Sequence, residues 1–459
     1  MLPKSNAIIL SDEEYFHLNC RLIQAAEEEN YDRVESLITQ GADVNVGGHL
    51  NKTLLHIAAE KGNSKFFQVL MKYKACVYAW DGHEDTPLHY AAKAGNYDLV
   101  SNLLKYKANI NLENRDLNTP LHYAAQGGYS SVVNLLVRGN ADVNAQNHLE
   151  DTPLHDAAQK GNSWVVNILL NNPNIKVNAR GLDGKAPLHY AAQGGYGKVV
   201  KSLIDHKAVV DARDDSNDTP LCYASRSDNI EVVEILISHN ADVNAEDFRS
   251  KSILHNAAEK CNPRVAKILI DHNADVNTRC FVTDFTVLHH LVENLTEERL
   301  LLSNMRSQRE KSIRDFSDFL KILSETDINP NIPNRNQETS LQVLYKKYDI
   351  IKHFVSSYDY DYPMLKVFQN LKEDIIALTV KAYNIREGMA LHIMCREDIE
   401  QYIIIPELKD APSAANINIS AETIWRPDPA QLLENSPVPD LLDNFKAAEL
   451  LEVAGAVSE

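Results

Sequence analysis

The stretch Thr86-Pro87-Leu88-His89-Tyr90-Ala91-Ala92 decides the fold, because the chain repeats it at Thr119 to Ala125 and at Thr152 to Ala158. The first position of this motif recurs every 33 or 34 residues along the chain. Its occupants are Thr53, Thr86, Thr119, Thr152, Ala186, Thr219, Ser252 and Thr286. Seven regular intervals in succession are not expected by chance, so the sequence predicts an array of equal structural units.

Each unit has the composition of two helices joined by a turn. A threonine before a proline suits a helix start, because the hydroxyl can cap free amides and proline fits the first turn. The paired alanines that follow allow a neighbouring helix to approach closely. Nine residues after the threonine position a glycine recurs, where the chain must leave the helix, often with positive φ. These glycines are Gly62, Gly95, Gly128, Gly161 and Gly195.

A second apolar helix and an extended segment complete the unit. Val132, Val133 and Leu136 are typical of the second helix, and Ala141 to Asn144 is one copy of the Ala-Asp-Val-Asn segment that follows it. One such unit cannot bury its own apolar faces, so neighbouring units must stack.

The T-P-L-H-x-A motif at a period of about 33 residues closely resembles the ankyrin repeat. The resemblance implies an all-α solenoid of helix-turn-helix units with hairpin-like loops, to which the composition of the C-terminal residues adds a helical cap and a flexible acidic tail. It also implies protein recognition through a concave helix face and the loop tips. The motif histidines would then hydrogen-bond within and between the loops of the repeats.

About ten units are expected between residues 17 and 356, after an N-terminal segment of residues 1–16, with degenerate first and last units. The pattern decays downstream, where Cys222 replaces the motif histidine. An insertion near residues 294–314 carries Arg306, Arg309, Lys311 and Arg314. Two interpretations stay open for it: a solvated extension, either lengthened helices or a protruding finger, and a basic contact point for a partner.

The C-terminal region has a different composition. Residues 357–405 have helical spacing and are interpreted as a capping region. Residues 406–459 are interrupted by prolines, and from Arg396 onward acidic residues outnumber basic ones by 13 to 4. We expect this tail to be flexible and acidic, with one short helix near its end.

Composition excludes several classes of function. A formal net charge of −18 argues against a nucleic-acid-binding surface, which needs lysine and arginine to neutralise phosphate. The six cysteines form no C-x-x-C pair, which suggests a reducing compartment with free and mostly buried thiols. No secretory signal is recognisable at the start, and no apolar run is long enough to insert into a membrane. The sequence is therefore predicted to be cytoplasmic.

No catalytic, metal or cofactor site is predicted. Seven histidines occupy the motif once per unit, so stacking places them one repeat apart, too far to share a metal ion. The sequence lacks the nucleophile-elbow, phosphate-loop, dinucleotide and zinc-protease motifs. We therefore expect a chain that is not an enzyme and needs no cofactor.

The candidate partner-binding residues fall into two groups. Tyr90, Tyr123, Tyr190 and Tyr223 share one slot on the first helix, where aromatic rings could anchor a partner or simply form part of the framework. The second group consists of loop-tip residues, whose acidic content suggests a binding edge. Its members are Trp80, His83, Arg115, Asp116, His148, Asp215, Phe248 and Arg249.

These features predict a non-enzymatic scaffold for protein–protein interaction. Two alternatives stay open. In the first, the chain is an adaptor, or a host-directed microbial or viral effector, whose C-terminal region recruits a second component. In the second, residues 357–459 hold a small enzymatic module.

Overall fold

A computed structural model describes residues 11–227, 229–293, 306–340, 343–344, 373–375 and 377–378. Within them the chain forms helices in pairs. They are α1 (Asp12–Glu27), α2 (Tyr31–Thr39), α3 (Leu54–Lys61), α4 (Ser64–Lys72), α5 (Pro87–Lys93), α6 (Tyr97–Lys105), α7 (Pro120–Gln126), α8 (Ser130–Arg138), α9 (Pro153–Gln159), α10 (Ser163–Leu170), α11 (Pro187–Gly194), α12 (Gly197–Asp205), α13 (Pro220–Arg226), α14 (Ile230–Ser238), α15 (Ile253–Lys260), α16 (Pro263–Asp271), α17 (Val287–Glu293) and α18 (Arg306–Ser324).

The helices stack in chain order, which confirms the predicted all-α repeat solenoid. From α1 to α17, each first helix of a repeat packs against the first helix of the next, and from α4 to α18 each second helix packs against the next second helix. The core lies between these two layers and is filled by one leucine and two alanines from most first helices, such as Leu121, Ala124 and Ala125, which are fully buried. Because alanine side chains are small, the alanine pairs allow neighbouring first helices to approach closely.

The turn between the two helices of a repeat follows the predicted glycine pattern. Gly62, Gly95, Gly128, Gly161 and Gly195 all have φ between 69° and 73°. At the equivalent position of a later repeat, Cys261 adopts a φ of 54°. Because a side chain is strained in this left-handed region, glycine is the preferred residue there.

Hairpin-like loops connect one repeat to the next. In the described part of the chain their extended segments form isolated β-bridges, such as Gly47 with Thr53 and Glu246 with Ser252. The second helix of the ninth repeat, α18, has 19 residues, whereas α16 before it has 9.

Five cysteines lie in the described residues, and all five are free thiols. The expectation that most are buried is wrong: Cys20 and Cys76 are exposed, whereas Cys222 and Cys280 are buried and Cys261 is intermediate. The exposed pair lies where no neighbouring helix covers the side chain. Residues 1–10, residues 294–305 of the insertion, the acidic tail and all but five residues of the capping region lie outside the described residues.

Candidate partner-binding surface

The motif histidines tie consecutive repeats together. In seven of the first helices a histidine occupies the third position, where its Nδ1 accepts the backbone N–H of the capping residue, at 3.1 Å for His122 and Thr119. This is the role that glutamate or glutamine has in a usual capping box. The opposite nitrogen therefore carries the proton, and His122 Nε2 donates to the Asp151 carbonyl of the next repeat at 3.1 Å.

The same bond between repeats recurs along the array. The histidines that make it are His56, His89, His122, His155, His189, His255 and His289. Burial lowers the pKa of all seven, to about 4 for His89, His122, His155 and His255. These histidines are consequently neutral framework residues.

A ladder of backbone hydrogen bonds joins the hairpin tips. Arg115 N donates to the His83 carbonyl at 3.1 Å, and His148 N donates to the Asp116 carbonyl at 2.9 Å. Farther along, Asp215 N donates to the Asp183 carbonyl at 2.9 Å. Between these two stretches the ladder is interrupted, and Leu182 N donates instead to Asp151 Oδ1 at 3.3 Å.

The four predicted tyrosines form a row on the first helices, with their rings packed edge-on against the histidine of the preceding repeat. The ring centroids are 5.2–6.0 Å apart in the pairs His56–Tyr90, His89–Tyr123, His155–Tyr190 and His189–Tyr223. Tyr90, Tyr123 and Tyr223 are partly buried, whereas Tyr190 is only 7% exposed.

Hydrogen bonds to the hairpins hold the tyrosine hydroxyls. Tyr90 OH donates to Asp81 Oδ2 at 2.8 Å, and Tyr223 OH donates to Asp214 Oδ2 at 2.7 Å. Each carboxylate also accepts backbone amides of its own hairpin, as Asp81 does from His83 N at 2.9 Å. The tyrosines are therefore fixed in position, and each presents only part of its ring to solvent.

The row has one gap, at Asp156. Asp156 has no ring to pack against His122 of the preceding repeat, although His122 is still only 1% exposed. In the next hairpin, Gly181 stands where the neighbouring hairpins carry Asn147 and Asp214. A Cβ at position 181 would overlap the carboxylate of Asp151, which turns into this space.

A pocket of about 380 Å³ opens at this gap. Its walls come from three consecutive repeats and include Tyr123 on one side and Tyr190 on the other. Asp156 and His122 lie between them. Side-chain amides and two leucines complete the lining, namely Asn118, Gln126, Asn147, Gln159, Gln193, Leu149 and Leu182, together with Asp151 and Lys185.

Asp156 has unusual electrostatics for an exposed face. Within the described residues its carboxylate accepts no hydrogen bond and forms no ion pair. Burial, with the nearby charge of Asp151, raises the pKa of Asp156 to about 8. Lys160 has the opposite, smaller effect. At neutral pH the carboxyl is therefore largely protonated.

The predicted tip residues lie at the hairpin tips. His83, Arg115, Asp116, His148, Asp215, Phe248 and Arg249 are all exposed. Trp80 is 55% exposed, and its carbonyl accepts a hydrogen bond from Asn51 Nδ2 at 2.7 Å. The structure does not bring these residues into one cluster; it spaces them one repeat apart along the ladder.

Several exposed side chains were not predicted as contacts. Leu149 and Leu182 lie at the tips beside the pocket, and Phe281 follows Phe248 one repeat later. Trp164, at the start of α10, is 78% exposed. The sequence contains a signal for the tip residues, because they are apolar at hairpin positions that are usually polar. Asp156 was visible in the same way, as the one acid in a tyrosine slot.

The described residues offer neither a metal centre nor a membrane span. Over the described ranges, no group of three or more histidine, cysteine, aspartate or glutamate side chains is arranged to hold a metal ion. None of the helices in the described part of the chain is both long and apolar enough to span a membrane.

Comparison with known proteins agrees with the geometry. A family model described as ankyrin repeats (three copies) matches residues 22–114, 107–181 and 154–247, and a model of a single ankyrin repeat matches residues 249–278. None of the curated proteins searched matches the chain. The matched residues make up more than half of the 459, and ankyrin repeats generally act as modules of protein–protein interaction. The chain belongs to the ankyrin repeat family.

Proposed function

We propose that this chain is a non-enzymatic scaffold that binds a partner protein through its first helices and hairpin tips. The observation that supports this most directly is the series of exposed side chains at the hairpin tips, where backbone hydrogen bonds join most neighbouring tips. Apolar members of this tip series include Leu50, Leu117, Leu149, Leu182, Phe248 and Phe281. Fixed apolar and aromatic side chains at regular spacing lose little entropy when a partner covers them.

The polar groups of the framework argue against a catalytic role for the same surface. The motif histidines are neutral, buried and already bonded on both nitrogens, so they have no free atom for proton transfer. Burial raises the pKa of the Cys222 thiol to about 11, which disfavours the thiolate that a nucleophile needs. The adaptor and effector alternatives depend on the C-terminal region, most of which lies outside the described residues.

Site-specific photocrosslinking tests the proposal. A photoreactive amino acid would replace Leu149 at a tip, or Lys201 on the second helix α12, in the full chain, which is then irradiated in a lysate of the source cells. We expect a discrete crosslinked protein from position 149 and none from position 201. Purified partner should then bind Phe248→Ala at least about fivefold more weakly than the unsubstituted chain. Equal crosslinking from both positions would contradict the proposal.

A further inference from the structure

The pocket between Tyr123 and Tyr190 has a chemistry that differs from the rest of the row. Elsewhere a tyrosine fills this space and its hydroxyl is bonded to a hairpin carboxylate or amide. Here Asp156 stands in the tyrosine slot and leaves the space open, and beside it the Asp151 carboxylate turns into the room left by Gly181. A surface that only needed to be stable would not leave a carboxyl without a partner in such a position.

We propose that this pocket receives an arginine side chain of the partner protein, with its guanidinium paired to Asp156 and lying between the rings of Tyr123 and Tyr190. The inference rests on the proposed function and specifies one contact within it. It specifies the charge and shape of one partner side chain and the pocket that receives it, which the general proposal does not.

Charge complementarity is the first argument. The Asp156 carboxyl lies in the pocket without a hydrogen-bond or ion-pair partner in the described part of the chain, and the Asp151 carboxylate lines the same pocket. Lys185 also lines it, but its ammonium is paired with Asp183 at 3.3 Å. It also lies over the rings of Tyr190 and Tyr223, 6.0 and 5.5 Å from their centroids. A cation can therefore reach Asp156 without displacing Lys185.

Shape favours a guanidinium over an ammonium. A planar guanidinium stacks on aromatic faces and offers five N–H donors in a fixed fork, whereas a lysine ammonium is a compact, strongly hydrated charge. The lining supplies further acceptors, because Gln126, Gln159 and Gln193 line the same pocket as the two carboxyl groups. The volume of about 380 Å³ is ample for one side chain.

Binding of a cation should release a proton from Asp156. The titratable groups that line the pocket or act on Asp156 are Asp151 and Lys160 from its own repeat, His122 and Tyr123 from the preceding one, and Lys185 and Tyr190 from the following one. His122 has a pKa of about 4, burial raises the pKa of Tyr123 to about 12, and the pKa of Tyr190 is raised further. Of these groups, Asp156 is the one with a pKa of about 8.

A small probe tests the pocket without knowledge of the partner. Nα-acetyl-L-arginine amide and its neutral isostere Nα-acetyl-L-citrulline amide would be titrated into the full chain labelled with ¹³C at leucine methyl groups. Leu149 and Leu182 line the pocket and serve as reporters. We expect both methyl signals to shift with the arginine probe and the citrulline probe to bind at least about tenfold more weakly.

Variants and pH make the test specific. Asp156→Asn keeps the shape and removes the charge, and Asp156→Tyr fills the gap as in the neighbouring repeats; both should weaken arginine binding about tenfold or more. Asp205→Asn, which changes an exposed acid at the end of α12 outside the pocket, is the matched control and should bind normally. Affinity of the unsubstituted chain should rise about tenfold from pH 6.5 to 8.5, because the pKa of about 8 keeps Asp156 protonated at the lower pH.

Equal binding of the two probes, or unchanged affinity in Asp156→Asn, would overturn the inference. Neither result would affect the photocrosslinking test of the proposed function, since that test reports contact at the tips whatever fills the pocket. Loss of tip crosslinking with intact probe binding would conversely reject the general proposal and leave a pocket for free arginine-like ligands, which also contradicts the partner named here.

Discussion

The Asp151 carboxylate occupies the space that a side chain on Gly181, in the next hairpin, would need. From there it accepts Leu182 N at 3.3 Å and the hydroxyl of Tyr190 at 3.3 Å. Two repeats earlier the arrangement is different, because Asn114 Nδ2 donates to Asp85 Oδ1 at 2.7 Å. A missing side chain at one position thus redirects a carboxylate in the previous repeat and interrupts the tip ladder.

This relationship predicts different effects for two substitutions at position 181. Gly181→Val should lower the free energy of unfolding by about 1–3 kcal/mol, because a branched apolar side chain displaces the Asp151 carboxylate and offers it no donor. Gly181→Asn should stay within about 1 kcal/mol of the unsubstituted chain, since its amide can reproduce the Asn114–Asp85 bond. Urea denaturation followed by circular dichroism measures both. Equal losses for the two variants would show that steric overlap alone decides the outcome.

Loss of one histidine tie should destabilise the array. In His89→Leu the backbone N–H of Thr86 loses its acceptor and the carbonyl of Asn118 keeps only the N–H of Asn114, so we expect a loss of about 1–3 kcal/mol. His148→Leu is the control, because His148 is exposed at a tip and its replacement should change stability by no more than about 0.5 kcal/mol. Thermal denaturation compares them, and a His89→Leu melt that matches the control would remove the structural role assigned to the tie.

Acid should destabilise the protein in a defined pH window. The pKa of each of the seven motif histidines is lower in the folded chain than its ordinary value near 6.5, so unfolding takes up protons below that value. Their contribution is complete above pH 6.5 and is lost as pH falls toward about 4.

Each protonating histidine contributes about 1.4 kcal/mol per pH unit within that window. Asp85, Asp151 and Asp156 act in the opposite direction, because the pKa of each is raised, but they are fewer. Melting temperature measured between pH 7.5 and 4.5 should therefore decrease, with a shallower slope in His89→Leu. A flat profile would contradict the neutral state of the histidines.

Restoring the missing hydroxyl at the start of α11 should stabilise the chain. Ala186 stands in the threonine slot, and its N–H donates to His189 Nδ1 at 3.0 Å, but no hydroxyl accompanies this bond. In the preceding repeat Thr152 Oγ1 lies 2.9 Å from His155 Nδ1. We expect Ala186→Thr to gain about 1 kcal/mol and Thr152→Ala to lose a similar amount. Urea titrations of both variants measure the free energy of unfolding. A lower value in both variants would mean that close packing, and not the missing hydroxyl, determines the residue at position 186.

Most of the framework could be predicted from the sequence, and the pocket could not. The spacing of the threonine, histidine and glycine positions predicted the helix pairs, the left-handed turns and the isolation of the histidines from one another. The tyrosine row was predicted as a shared slot, but its burial and its hydroxyl bonds were not. Those depend on hairpin carboxylates, and sequence spacing does not show which way such side chains turn.

What the sequence determined by itself is the repeating unit and its order along the chain, because a unit of about 33 residues with one apolar face can be stable only against a copy of itself. What only the tertiary structure decided is where a position of the repeat pattern leaves a space unfilled. Asp156 and Gly181 belong to different repeats and are 25 positions apart in the sequence. Stacking is what places Asp156 and the Asp151 carboxylate, which turns toward Gly181, around one space with Tyr123 and Tyr190 as its walls.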